Sequence, residues 1–333
     1  MNALAAARLA GDRPVEFTRL NPGGNSRVWR LTTRGGGDFA LKEYYAGDGR
    51  ARARLRAEFE GLSFLWSRGV RDIPRPVAAD NEALVALYDF LPGAPLRPEP
   101  SDAEAVMPFA AFAARLFDLS REPGAALLPP ASDANLEPGA LSGQIAARLA
   151  RLDAEGRHGP FGQDLGRFLD RELRPFLARF SIAPALSAPR PQAATLSPSD
   201  FGFHNALRLP DGGTAFVDFE YFGRDDPAKL IADFLLHPAG ALCAGQRRRF
   251  AGAMLEVFAG DADLPARLDA LFPLVAAKWT LILLNEFTRR DRDRRRFAAA
   301  GIRPDRPDPR PGQLEKARDM LDRARGGLQG ALS

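Results

Sequence analysis

The residues best suited to chemistry lie in two short strings, Asp200-Phe-Gly-Phe-His-Asn205 and Asp218-Phe-Glu220. Between them, Pro210-Asp-Gly-Gly213 is a turn signal flanked by apolar runs. The spacing predicts a hairpin in which Leu209 pairs with Thr214 and Leu207 with Phe216, which sets Asn205 opposite Asp218. Directly opposed residues stand about 4.5–5.5 Å apart at Cβ. One hard cation, Mg2+, could then take the Asn205 side-chain oxygen and the Asp218 carboxylate, with water and phosphate oxygens completing its shell. Asp200, in the loop entering the first strand, is left to accept a proton from an attacking hydroxyl. This set suits phosphoryl transfer. Taken alone, the hairpin fits an ordinary strand end equally well, so the upstream residues decide.

Those residues must be positioned by the elements before them. Pro14–Leu20 reads as a strand, followed by the loop Asn21-Pro-Gly-Gly-Asn-Ser26. Val28–Thr33 and Phe39–Tyr45 read as a hairpin around Arg34-Gly-Gly-Gly-Asp38. A glycine-rich loop entering a strand lets backbone N–H groups approach phosphate oxygens. Gly24 and Ser26 are its candidate contacts, although a plain turn explains the same glycines. Over 51–68, Leu55, Phe59, Leu62 and Trp66 recur at helical spacing with Glu58 on their flank. Glu58 can reach the sheet that carries Lys42, either to hold its ammonium for an anion or as a surface salt bridge. Arginine supplies nearly all the positive charge, and only Lys42, Lys229, Lys278 and Lys316 are lysines. A retained lysine marks a place where a compact ammonium is needed.

Val77–Ala79 and Ala83–Leu87 give two further strands, and Tyr88-Asp-Phe-Leu-Pro-Gly93 reads as a connector. From about Pro98 the pattern is helical, with helices expected near 105–119, 140–154, 162–180, 227–236, 245–259, 264–290 and 312–328. Lys278 and Asn285, seven apart in the apolar helix 264–290, are expected on one face. With Glu286, Glu220 and Asp225 they are candidate substrate contacts, or else they bond neighbouring loops. Asp226 fits equally as the N-cap of a helix opening at Pro227.

Composition narrows the classes. The 333 residues are 45% hydrophobic and 26% charged, an ordinary globular balance. The single cysteine, Cys243, is expected as a small buried hydrophobe, and no disulfide framework is possible. His158, His204 and His237 are scattered along the chain and form no expected ligand cluster; His204 lines the site or packs at a strand edge. Arg247–Arg249 and Arg289–Arg296 read as solvated helix faces, because Asp291 and Asp293 interrupt the second run and no aromatic residues interleave it. No nucleic-acid, membrane or protein partner is expected. Without an apolar run of about 18 residues or a secretory start, a cytoplasmic protein is expected.

The order of Gly-rich loop, strand Lys42, helix Glu58, connector and Asp200…Asn205…Asp218 resembles the aminoglycoside phosphotransferase/choline kinase family across essentially the whole chain. Phe39-Ala-Leu-Lys42 resembles its lysine strand, and Glu58-x3-Leu62-Ser-Phe-Leu65-x3-Gly69 followed by Pro74 resembles its partner helix. Leu91-Pro-Gly93 resembles the end of its hinge, Asp200-x4-Asn205 its catalytic loop and Asp218-Phe-Glu220 its metal triplet. The resemblance implies an α+β, bilobed protein-kinase-like fold: a small antiparallel-sheet nucleotide-binding lobe (1–88), a hinge (89–97) and a larger, mainly helical catalytic and substrate-binding lobe (98–333). It implies ATP, with adenine against the backbone of Asp89, Phe90 and Leu91 and with Lys42, held by Glu58, on the phosphates. It implies Mg2+ on Asn205 and Asp218, Asp200 as the base, and a small-molecule hydroxyl as acceptor (sugar, amino alcohol or aminoglycoside-like).

Two departures stand out. Pro198-Ser-Asp200 replaces the family's His-Gly-Asp, whose histidine supports the loop. Lys229-Leu230 stands where many members continue toward Asp-Leu, and Asp233 lies one turn later. The missing histidine motivates a second reading, a nucleotide-binding pseudokinase with a regulatory role. A protein kinase ranks last, since no activation segment ending in Ala-Pro-Glu follows Asp218.

Overall fold

A computed structural model describes residues 3–20, 26–99, 101–180, 194–300 and 307–333. Among them, in chain order, come α1 (Ala3–Ala10), β1 (Pro14–Arg19), β2 (Ser26–Thr33), β3 (Asp38–Tyr44), α2 (Ala51–Ser67), β4 (Pro76–Asp80), β5 (Val85–Asp89) and β6 (Ala94–Pro95). Next are α3 (Met107–Leu119), α4 (Ala140–Glu155), α5 (Gly162–Phe168), α6 (Arg174–Ala178) and β7 (Thr195–Ser197). Then follow β8 (Ala206–Arg208), β9 (Thr214–Phe216), β10 (Gly223–Asp225), α7 (Pro227–Leu236) and α8 (Ala244–Val257). The last are α9 (Leu264–Leu283), α10 (Arg289–Ala299) and α11 (Arg310–Leu332). The chain divides into two compact units.

The first unit comprises Met1–Leu96, Asn205–Phe222 and Arg290–Pro307. Its centre is a five-stranded antiparallel sheet in the order β1-β2-β3-β5-β4. Trp29, Leu31, Leu41, Val85 and Leu87 pack on one face with Ala6 of α1. Because side chains alternate along a strand, Lys42 next to Leu41 turns to the opposite face. Helix α2 brings buried Leu55, Glu58, Leu62 and Leu65. A Cβ at Gly61 would lie 2.3 Å from Phe222 Cδ1, so the missing side chain lets α2 come close to the segment after Asp218.

The β8–β9 hairpin pairs with β6 in the same unit, but its register is one residue from expectation. Arg208 pairs with Thr214, Leu207 with Ala215 and Ala206 with Phe216. The turn is the cause. Gly212 adopts φ 85°, its N–H donates to Leu209 O at 2.9 Å, and the Leu209 N–H donates to Gly213 O at 2.9 Å. A five-residue loop therefore closes the hairpin, and a one-residue slip exchanges the faces. Asn205 O accepts from the Val217 N–H at 2.9 Å. Asp218 is past the strand with φ 68°, so it is not the residue opposite Asn205.

The second unit comprises Arg97–His204, Gly223–Arg289 and Asp308–Ser333 and is mainly helical. Helix α9 packs against α7, α4 and α11. Leu264–Phe287 is long and apolar enough to cross a membrane, with 72% of its apolar window buried inside the fold. A strict apolar run of about 18 residues is nonetheless absent from it, because Arg267 and Lys278 interrupt the segment, and both find buried ion-pair partners. The segment 264–290 is not one helix either. α9 stops at Leu283 and a 3-10 turn covers Leu284–Phe287, which breaks the shared helical face expected for Lys278 and Asn285. Likewise, a π-helical stretch at Leu169–Leu173 interrupts 162–180.

Cys243 is half-buried rather than buried. It is the N-cap of α8, its sulfur accepting from the Gln246 N–H while the Gln246 side chain accepts from the Cys243 N–H. The catalytic-loop candidate is anchored by aromatics. Phe201 and Phe203 straddle Gly202 and enter a cluster with Phe109 and Phe234, with ring centroids 4.5 Å apart for Phe109–Phe203 and 5.6 Å for Phe201–Phe234. Such buried aromatic pairs fix the backbone that carries Asp200 and His204.

Candidate active site

The first unit gathers one ammonium and three carboxylates. Lys42 Nζ donates to Glu58 Oε2 at 2.6 Å and to Asp218 Oδ1 at 2.6 Å, and Glu220 Oε2 stands 3.5 Å away. Glu58 is fully engaged: Oε2 also accepts from the Tyr44 hydroxyl at 2.7 Å, and Oε1 accepts from the Phe219 N–H at 3.1 Å. The helix carboxylate thus ties the sheet lysine to the segment after Asp218. Burial pulls the Lys42 ammonium down, but Asp218, Glu58 and Glu220 more than reverse this and hold it charged.

Glu220 is 2% exposed, and neither of its oxygens has a hydrogen-bond partner. Burial, followed by the Asp218 and Glu58 charges against the pull of Lys42, pushes its carboxyl up to about 7. An oxygen of each of Glu58, Asp218 and Glu220 lies within 4.8 Å of the others. A buried, unsatisfied carboxylate in a cluster short of positive charge is the setting that a hard divalent cation relieves. Glu220 and Asp218, rather than the engaged Glu58, fit a Mg2+ ion, with the partly exposed Asp218 as its open side.

The second unit builds a site around Asp200. His204 Nε2 lies 3.0 Å and His237 Nε2 2.9 Å from the same oxygen, Asp200 Oδ1. The two imidazoles, expected to be unrelated, are stacked with centroids 3.9 Å apart. Burial pushes the Asp200 carboxyl up, but the hydrogen bonds from His204 and His237 outweigh it and hold the group well below the usual carboxylate range. The loop itself is tight: Ser199 adopts φ 66°, and the Asp200 N–H donates to Pro198 O at 2.8 Å.

Behind His237 lies a buried ionic cluster. Trp279 meets the His237 ring edge-on at 4.7 Å, and its Nε1 donates to Asp233 Oδ1 at 2.8 Å. Asp233 also accepts from Lys229 at 2.7 Å and Lys278 at 3.1 Å, and Lys229 reaches Asp225 at 2.8 Å. Asp225 is fully buried and further accepts the Asn135 and Asp226 N–H groups. Asp225 and Lys278, candidate substrate contacts by sequence, are thus bonded to partners inside the unit. Asp226 caps α7 by accepting from the Ala228 N–H at 2.9 Å. Asn285 and Glu286 are buried in the 3-10 turn after α9, and Glu220 belongs to the Lys42 cluster. Asp233→Asn should lower stability by about 3–5 kcal/mol, because two buried ammonium groups lose their shared countercharge; thermal unfolding measures it.

Of the other candidates, Gly24 lies outside the described residues. Ser26 opens β2 and is buried. Asp89 pairs its side chain with Arg75 at 2.7 Å and its N–H with Arg75 O at 2.9 Å. The Phe90 N–H donates to Asp38 O at 3.1 Å, and Leu91 O accepts from the Gly93 N–H at 2.9 Å. His237 escaped the sequence reading because 37 residues separate it from Asp200. The available signal was its place one turn after Asp233 on α7, before a helix-ending proline.

An antiparallel sheet bearing a lysine held by a helix carboxylate, together with a mainly helical unit, defines the protein-kinase-like fold. The phosphotransferase enzyme family matches residues 16–271, and the chain belongs to that family. No curated protein matches it. Among solved structures, the fold is similar to a macrolide 2'-phosphotransferase from Brachybacterium faecium (19% identity, 92% of this chain and 100% of that one, TM-score 0.58). It is also similar to a choline kinase from Streptococcus pneumoniae (12% identity, 96% of each chain, TM-score 0.59). The gentamicin–APH(2")-IIa complex is a third (14% identity, 100% and 98%, TM-score 0.64).

Proposed function

We propose that this phosphotransferase moves the γ-phosphoryl group of ATP, with Mg2+, to a hydroxyl of a small molecule. The observation that carries the reading is the Lys42 ammonium bonded at once to Glu58 and Asp218. On this reading Lys42 binds phosphate oxygens and Glu58 fixes its direction. Asp218 with Asn205 would hold Mg2+, backed by Glu220, and the ion supplies positive charge to the phosphates. Asp200 orients the acceptor hydroxyl and takes its proton as the new O–P bond forms and the bond to ADP breaks. In such transfers, positioning and electrostatics carry most of the catalysis. Residues 1–88 would serve as the nucleotide-binding lobe, 89–97 as the hinge and 98–333 as the catalytic and substrate-binding lobe. An ATP-dependent enzyme of this kind fits the cytoplasm.

The test is ATP consumption with and without Mg2+ against a panel of sugars, amino alcohols and aminoglycosides. A Mg2+-dependent rate raised by some of these hydroxyl compounds, and lost in Asp218→Asn, is expected. Tight nucleotide binding with no transfer or hydrolysis would favour the regulatory pseudokinase reading instead.

A further inference from the structure

Two imidazoles share one oxygen of Asp200, and one of them has an identifiable tautomer. The Ala239 N–H donates to His237 Nδ1 at 3.2 Å. Nδ1 therefore presents a lone pair, and the neutral ring carries its proton on Nε2. From there it donates to Asp200 Oδ1 at 2.9 Å. The trio Asp200, His204 and His237 also has the spacing of a metal site. A metal on His237 Nε2, however, calls for an Nδ1–H that donates outward, and Ala239 imposes the opposite. The hydrogen-bonded arrangement is the one the backbone supports.

His237 is itself held firmly. It terminates α7, stacks on His204, and abuts Trp279, which is fixed through Asp233 to Lys229 and Lys278. A buried ionic cluster thus reaches the carboxylate of Asp200 through one aromatic ring and one imidazole. With two imidazole nitrogens on Oδ1, the carboxylate of Asp200 is held at that oxygen from two sides.

We propose that His237, at the C-terminal end of α7, is a positioning residue for Asp200. The proposal rests on Asp200 acting as the base. Holding the carboxylate in one orientation is the kind of constraint whose loss costs about a hundredfold in rate.

The experiment compares His237→Phe, which keeps the ring shape but not the donor, with His237→Gln, which keeps a donor near the Nε2 position. Mg-ATP turnover with water as acceptor, nucleotide affinity and thermal unfolding are measured for both. His237→Phe should lose about a hundredfold in kcat with nucleotide affinity and unfolding temperature close to those of the parent, and His237→Gln should recover most of that loss. In the parent protein, 15N NMR should find the proton of the neutral His237 ring on Nε2. Full activity in His237→Phe, equal losses in both variants, or a proton on Nδ1 would overturn the proposal. Asp200→Asn separates the two levels: if it stays active, the reading of Asp200 fails; if it is inactive while His237→Phe is active, only the role of His237 fails.

Discussion

Asp200→Asn is expected to lower turnover by about 10²–10⁴-fold while nucleotide affinity stays nearly unchanged. The substitution keeps the shape of the side chain and an oxygen able to accept from His204 and His237, so the loop built on Phe201 and Phe203 should keep its place. What it removes is the negative charge and the site for the acceptor's proton. The same geometry fixes the pH dependence. Burial raises the Asp200 carboxyl, and the two imidazoles more than offset this, so its folded value lies below the unfolded carboxylate value of about 3.9. For an acid lowered in this way, the stabilising contribution is fully present above the unfolded value and is lost as pH falls through the folded one. Asp200 therefore remains ionised across neutral and mildly acidic pH, and no break in the rate profile there belongs to it. A base of such low basicity contributes by orientation more than by strong proton abstraction, as a loose phosphoryl-transfer transition state allows. Isothermal titration of nucleotide into Asp200→Asn, paired with its steady-state rate, checks both halves; loss of affinity together with turnover would make Asp200 a metal ligand or a structural group.

Local patterns made much of this legible and long-range ones did not. The Leu55-Phe59-Leu62 stripe located α2 and left Glu58 on its flank, and strand alternation put Lys42 on the face away from Leu41; their 2.6 Å contact follows from those two periodicities. The hairpin was visible from Pro210-Asp-Gly-Gly213, but its register was not. A left-handed Gly212 decides between a four- and a five-residue loop, and the alternative shifts every pair by one. Polar residues on the apolar helix α9 were the hardest to interpret. Lys278 on a buried helix implies a partner, and sequence alone does not distinguish Asp233 on α7 from a bound substrate. His237 was illegible for the same reason, since its relation to Asp200 exists only once α7 and the catalytic loop pack together.

Lys42→Met should be the most damaging single change in the first unit, for stability and for turnover alike. In the parent protein one ammonium faces Glu58, Asp218 and Glu220 at 2.6, 2.6 and 3.5 Å. Removing it leaves buried carboxylates without compensation, a loss of about 3–5 kcal/mol. The pH dependence gives the change a signature. Glu220 is already pushed up to about 7 by burial, then by the charges of Asp218 and Glu58, and deleting Lys42 moves it further in that direction. An acid whose folded value lies above its unfolded one takes up a proton on folding, so its penalty is absent below the unfolded value, about 4.3, and grows as pH rises through the folded one. The stability gap between Lys42→Met and the parent should accordingly be widest above pH 7 and narrow toward pH 5, a trend that thermal unfolding across that range can read. A gap of constant size would mean that the methionine merely packs badly. The predicted slope, by contrast, requires Lys42 to be the countercharge of the whole carboxylate cluster, and that ammonium is the one phosphate oxygens would have to meet.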